Sequence, residues 1–164
     1  MQTAPELSPD GSVSVLFADV HRELRRSCER LLARASTEDC PELVTAYRRF
    51  ERHVLRHLAV EEELLLPLYE QAAPGEAATI RARHAELRHD LERLCVDTEL
   101  HIVRTDLLHA LVERLDQTAR HEEETLYSWA RHHLPPPQRA TAIDRIADLV
   151  RELVDVARAR SARE

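Results

Sequence analysis

Ten histidines fall in these 164 residues, and several stand where an amphipathic helix should be apolar. Apolar side chains recur at three- and four-residue spacing along four stretches. The positions that break the pattern are His21, His57, Glu61, His84, Thr118 and Glu122. His57 and Glu61 are four residues apart, so one helix face offers a ring nitrogen and a carboxylate oxygen to the same point. A buried polar group without a partner costs roughly 2–7 kcal/mol, and more when it is charged. A single such residue is ordinarily a satisfied core histidine. His21, His57, Glu61, His84 and Glu122 come from four helices at one depth, and a shared partner explains them better. A metal cation is the obvious one.

The common depth follows from spacing. His21 precedes His57 by 36 residues and Glu61 by 40, while His84 precedes Thr118 by 34 and Glu122 by 38. The chain thus reads as two copies of one helical hairpin. Glu61-Glu62-Glu63-Leu64-Leu65-Leu66 lines up with Glu122-Glu123-Glu124-Thr125-Leu126-Tyr127. Imidazole with carboxylate and no thiolate favours iron, manganese or zinc over copper(I) or an iron–sulfur cluster. Two carboxylates from opposed helices can also bridge two ions, as helical bundles do. The ferritin-like arrangement needs Glu-x-x-His on two helices. Only Glu86-x-x-His89 matches, and it faces away from its helix's apolar stripe.

The elements that must carry these residues are set by prolines, glycines and polar clusters. Five helices are expected, at roughly 13–35, 41–72, 76–96, 105–133 and 138–159. Ser8-Pro9-Asp10-Gly11 precedes the first, Ala73-Pro74-Gly75 ends the second, and Pro135-Pro136-Pro137 ends the fourth. The stripes run through Phe17, Leu24, Cys28 and Leu31; Leu43, Tyr47, Phe50, Val54, Leu64 and Leu68; Ile80, Leu87, Leu91 and Leu94; and Leu108, Leu111, Leu115, Leu126 and Trp129. Long amphipathic helices with short connections predict an all-α, antiparallel up-down four-helix bundle over 13–134. An additional C-terminal helix over 138–160 carries its own stripe (Ile143, Ile146, Val150, Leu153, Ala157) and must pack on the bundle or on a partner.

Composition narrows the alternatives. Two glycines cannot supply a dinucleotide fingerprint or a phosphate-binding loop. A net charge of −7 gives no footprint for nucleic acid. The longest apolar run, Leu64-Leu65-Leu66-Pro67-Leu68-Tyr69, is far short of a membrane span. Cys28, Cys40 and Cys95 are odd in number and lack Cys-x-x-Cys spacing, so a reducing cytoplasm is the expected compartment. The first residues show no secretory signal.

With these residues in place, the pattern resembles the hemerythrin-like, or HHE cation-binding, family over residues 13 to 134. The matching parts are His21 in Val20-His21-Arg22-Glu23-Leu24, His57-x-x-x-Glu61-Glu62 running into Leu65-Leu66-Pro67, His84 in Arg83-His84-Ala85-Glu86-Leu87, and Glu122-Glu123 running into Leu126-Tyr127. The segment from His57 to Pro67 is the most specific. The resemblance implies a non-haem iron centre of one or two ions, with His21, His57 and His84 as terminal ligands and Glu61 and Glu122 bridging. It also implies a small diatomic or peroxide as the ligand. Two departures stand out: the family's fourth-helix histidine position is Thr118, and a second third-helix histidine position is Arg88. Three consequences stay open: a weak or absent second ion, substitution by His121, or a centre more open to substrate.

Other residues read more plainly. His53 is expected on the surface beside His57, and His89, His101, His109, His132 and His133 in solvent. Tyr127 and Trp129 are expected to pack, and each Glu-Glu-Glu run to have one inward member. Two rival functions remain: a metal-free helical interaction module that docks or dimerises through its last helix, and an iron-dependent redox enzyme with an organic substrate.

Overall fold

The computed structural model describes residues 12–35, 40–100, 102 and 104–161. All regular structure among the described residues is helical. Helix α1 spans Ser12–Ala35 and α2 spans Cys40–Val60; a π-helical turn, Glu61–Leu65, leads into α3, Leu66–Ala72. Helix α4 spans Pro74–Glu99, α5 Thr105–Glu124, α6 Leu126–His133 and α7 Pro136–Ser161. The segment from α2 to α3 is one rod and α5–α6 another. With α1 and α4 they close the expected four-helix bundle, each rod packing on two neighbours. The Ser8–Gly11 turn and His101 lie outside the described residues, as does the side chain of Ala157.

The first and third stripes are buried as expected: Phe17, Leu24, Cys28 and Leu31 on α1, and Ile80, Leu87, Leu91 and Leu94 on α4. The second and fourth slip by one residue after their glutamates. Leu65 and Tyr69 are buried where Leu64 and Leu68 were expected; Leu126 is buried as expected, but beyond it Tyr127 and Ala130 are buried and Trp129 only partly so. The cause differs between the two rods. Pro67 lacks an N–H and its ring crowds the preceding turn; the Leu66 N–H reaches back five residues to the Glu61 carbonyl. This widened turn advances the inward face by one position. In the other rod Thr125 breaks the helix at φ −111°, ψ −75°. Its hydroxyl donates to the His121 carbonyl at 2.6 Å beside its own N–H at 3.0 Å, a local competition that bends helices.

The last helix has found its partner inside the chain. Helix α7 lies on α1 and α2 and buries Ala142, Ile146, Leu149 and Leu153. Arg145 pairs with Glu63 at 2.5 Å and Arg56 with Glu152. His53 is therefore not a surface residue: α7 covers it, leaving it 5% exposed and 3.9 Å from Glu152.

Candidate metal centre

Each rod of the bundle sends at least one polar side chain into the middle. His57, Glu61, His84, Thr118 and Glu122 are buried, while the His21 side chain keeps a tenth of its surface. Donor atoms of His21, His57, Glu61 and Glu122 all lie within 4.8 Å of one another. The His21 and His57 Nε2 atoms are 2.9 Å apart, and His21 Nε2 is 3.2 Å from Glu122 Oε2. His57 Nε2 is 3.5 Å from Glu61 Oε1. His84 enters from α4 with Nε2 at 2.7 Å from Glu122 Oε1 and 3.4 Å from Glu61 Oε2. All five residues singled out by spacing thus converge.

The outer contacts explain why both hairpins repeat Glu-Glu. Glu123 Oε1 lies 3.1 Å from His21 Nδ1, and Glu62 Oε1 lies 2.9 Å from His84 Nδ1. Each second glutamate holds the outer nitrogen of a ring from the other hairpin, which leaves Nε2 facing inward. Such outer carboxylates orient ligating imidazoles and raise their basicity. Arg88 grips Glu62 through both terminal nitrogens, at 2.7 and 2.8 Å. So where a second third-helix histidine was expected, a guanidinium instead supports the carboxylate behind His84. Glu123 is exposed, as one inward member per run predicts, and Glu62 is half-buried, yet each still reaches a ring. The duplicated dipeptide was the signal available for them.

Tyr127 packs as expected, its buried ring lying on Phe17 and His21, and its hydroxyl also donates to Glu61 Oε1 and lies 3.0 Å from His21 Nε2. The helix break at Thr125 turns it inward, a change that uninterrupted helical spacing conceals. His121 does not substitute at the fourth-helix position. Its Nε2 faces Glu76 Oε2 at 3.1 Å, at the start of α4. Among the described residues His89, His109, His132 and His133 are exposed.

Electrostatics make the cluster a place for positive charge. Burial works against a charged His21, but hydrogen bonds from the ring to Glu122 and Glu123 outweigh it and raise the ring to about 9. His84 is likewise disfavoured by burial, and Glu122 and Glu62 raise it to about 10. Burial, reinforced by the neighbouring His21 charge, pushes His57 well down. Glu61 is pushed up by burial and by Glu122. Burial also opposes ionisation of Glu122, yet His21 and His84 hold it below the usual carboxylate range. Without a cation, then, protons on His21, His84 and Glu61 neutralise the carboxylates.

Within the cluster and at Thr118 beside it, His57 Nδ1, Glu61 Oε2 and Thr118 Oγ1 are buried without a hydrogen-bond partner. Thr118 lines a cavity of about 530 Å³ that opens between α1 and α5 and reaches His21, His57 and Glu122.

Four antiparallel rods closing on a buried imidazole–carboxylate cluster define the class: a helical bundle with a cation-type donor set at its centre. The sequence model for the hemerythrin HHE cation binding domain matches residues 13–130. The chain belongs to this family. No curated protein and no solved structure shows a significant match.

Proposed function

We propose that the chain is a non-haem iron protein whose buried His/Glu cluster binds, senses or reacts with dioxygen, nitric oxide or peroxide. The observation that carries this reading is the pair of Nε2 atoms 2.9 Å apart, flanked by buried carboxylates. Two imidazole lone pairs facing each other at that distance need a cation or a proton between them. Family membership supports a cation, and the donor set fits one. Two imidazole nitrogens and two carboxylate oxygens suit iron, and Glu61 Oε2 still has acceptor capacity.

His21, His57, Glu61 and Glu122 would hold one ion, and His84 would stand beside a second position between Glu61 and Glu122. That position has one imidazole, so it is the weaker of the two. When bound, iron supplies redox chemistry and an open coordination position for a small ligand. The chain's own residues do the rest. Glu123 and Glu62 hold the outer nitrogens of His21 and His84. The Tyr127 hydroxyl donates to Glu61 Oε1 and lies 3.0 Å from His21 Nε2, so this phenol could also donate a hydrogen bond to a small ligand beside them. Phe17, Val54 and Leu87, all buried, pack around the cluster, which solvent reaches through the opening between α1 and α5.

Anaerobic loading with ferrous iron, followed by nitric oxide or air, tests this. The expected result is bound iron and a change in near-ultraviolet and visible absorption that Glu122→Gln lacks. Iron that is bound but gives no spectral response to nitric oxide, oxygen or peroxide contradicts it.

A further inference from the structure

We infer that α7 brackets the ligand-bearing segment of the first hairpin, so that its docking and the filling of the cluster by a cation are coupled. The coupling rests on the metal reading of the cluster, while the bracket itself stands on geometry. Two ion pairs tie α7 to this segment. Glu152 meets Arg56 one residue before His57, and Arg145 meets Glu63 two residues after Glu61. Arg56 and Glu63 are seven residues apart, as are Arg145 and Glu152, so about two turns of each rod run side by side. The pairs enclose both donors that this rod sends into the cluster. Between them on α7, Ile146 and Leu149 are buried. His53, one turn before His57, lies under the same helix. Arg145 and Glu152 touch none of the inward donors and act as positioning residues.

The segment needs a brace because its backbone supplies a poor one. Pro67 donates no N–H, and the turn Glu61–Leu65 closes through the wider bond from the Leu66 N–H to the Glu61 carbonyl. Its three carboxylates hold it instead, each toward a different part of the fold. Glu61 faces the cluster, Glu62 reaches His84 and Arg88 on α4, and Glu63 reaches Arg145 on α7. The second hairpin lacks such a bracket. There Gln117 and Glu124 stand parallel to Arg56 and Glu63; both are exposed, and among the described residues Glu124 has no cationic partner. Helix α7 thus acts on one half of the centre. Coupling of this kind is reciprocal: whatever docking adds to cation affinity, the cation adds to docking.

Arg145→Glu tests the bracket, because a field effect and loss of the bracket have opposite signs. The change adds negative charge near the cluster, which by field alone tightens a cation; loss of the bracket weakens it. Ferrous ion is titrated calorimetrically into the full chain under anaerobic conditions, with zinc in parallel and hydrogen exchange followed across residues 142–153. An exposed pair adds little to stability, so Arg145→Glu should keep its helix content and weaken cation binding about threefold. It should also lose the slowing of exchange that a bound cation gives the unchanged chain. Combining Arg145→Glu with Glu63→Arg should restore both. Binding that is unchanged or tighter in Arg145→Glu, or a charge swap that restores nothing, overturns the bracket and leaves the iron reading in place. A chain that binds zinc and not ferrous ion removes the iron reading, and its zinc titrations then decide the bracket by the same criteria. A chain that binds neither ion removes both.

Discussion

At the scale of single residues, the centre depends on pairs of neighbours with different tasks. Glu61 and Glu122 face the donors, and Glu62 and Glu123 hold the rings that come from the other hairpin. Glu122 touches both His21 and His84, so the isosteric Glu122→Gln should cost most of the bound iron while leaving helix content unchanged by circular dichroism. Retention of a full complement of iron in that variant would remove Glu122 from the ligand set. Thr118 offers the opposite test. Its hydroxyl is buried and unpartnered at the position parallel to His57, so Thr118→His adds a nitrogen beside the weaker position. Iron per chain, measured by metal analysis, should rise toward two.

At the scale of elements, the inward faces were largely legible from spacing. The five residues that converge are among the six, Thr118 being the other, whose polarity conflicted with their stripes, since a regular helix turns a three-four repeat directly into a face. What spacing could not show lies past the two glutamates. The π turn before Pro67 and the break at Thr125 each move the buried face by one residue, which exchanges Leu64 for Leu65 and brings Tyr127 to Glu61. Local backbone chemistry sets those shifts, and apolar spacing does not record it. The role of α7 was likewise open, because a stripe does not say what covers it. In the fold it covers α1 and α2 and hides His53. Ile146 is fully buried, so Ile146→Ala should destabilise the protein by about 2–5 kcal/mol in chemical denaturation. The apparent mass on size exclusion should not change. A shift of oligomeric state without loss of stability would return α7 to the role of a docking face.

At the scale of the whole molecule, the bundle stores charge as much as it packs side chains. In the metal-free protein the His21 and His84 rings sit at about 9 and 10, above the ordinary 6.5. A group raised on folding stabilises fully below its unfolded value and loses that contribution as pH climbs through its folded value. Glu61, also raised, acts in the same direction. The melting temperature of the metal-free protein should therefore fall as pH rises from about 6.5 toward 10. At the acid end Glu122 and Glu62, both lowered toward about 2, should lose their contribution as pH falls from the ordinary carboxylate value toward 2. A bound cation needs deprotonated rings, so metal binding should release protons and tighten as pH rises. The gap in melting temperature between loaded and unloaded protein should then widen from pH 6 to 8. A gap that narrows over that range would show that the rings and Glu61 do not meet the ion.

The most direct test of the centre itself is an anaerobic titration of the purified chain with ferrous ion, read by metal analysis after desalting and by the thermal midpoint. The expected result is at least one iron retained per chain, with a midpoint raised as iron is added, because a cation takes the place of the stored protons among His21, His57, Glu61 and Glu122. Folded protein that retains no iron, with the same midpoint at every iron concentration, would contradict a metal centre at these residues.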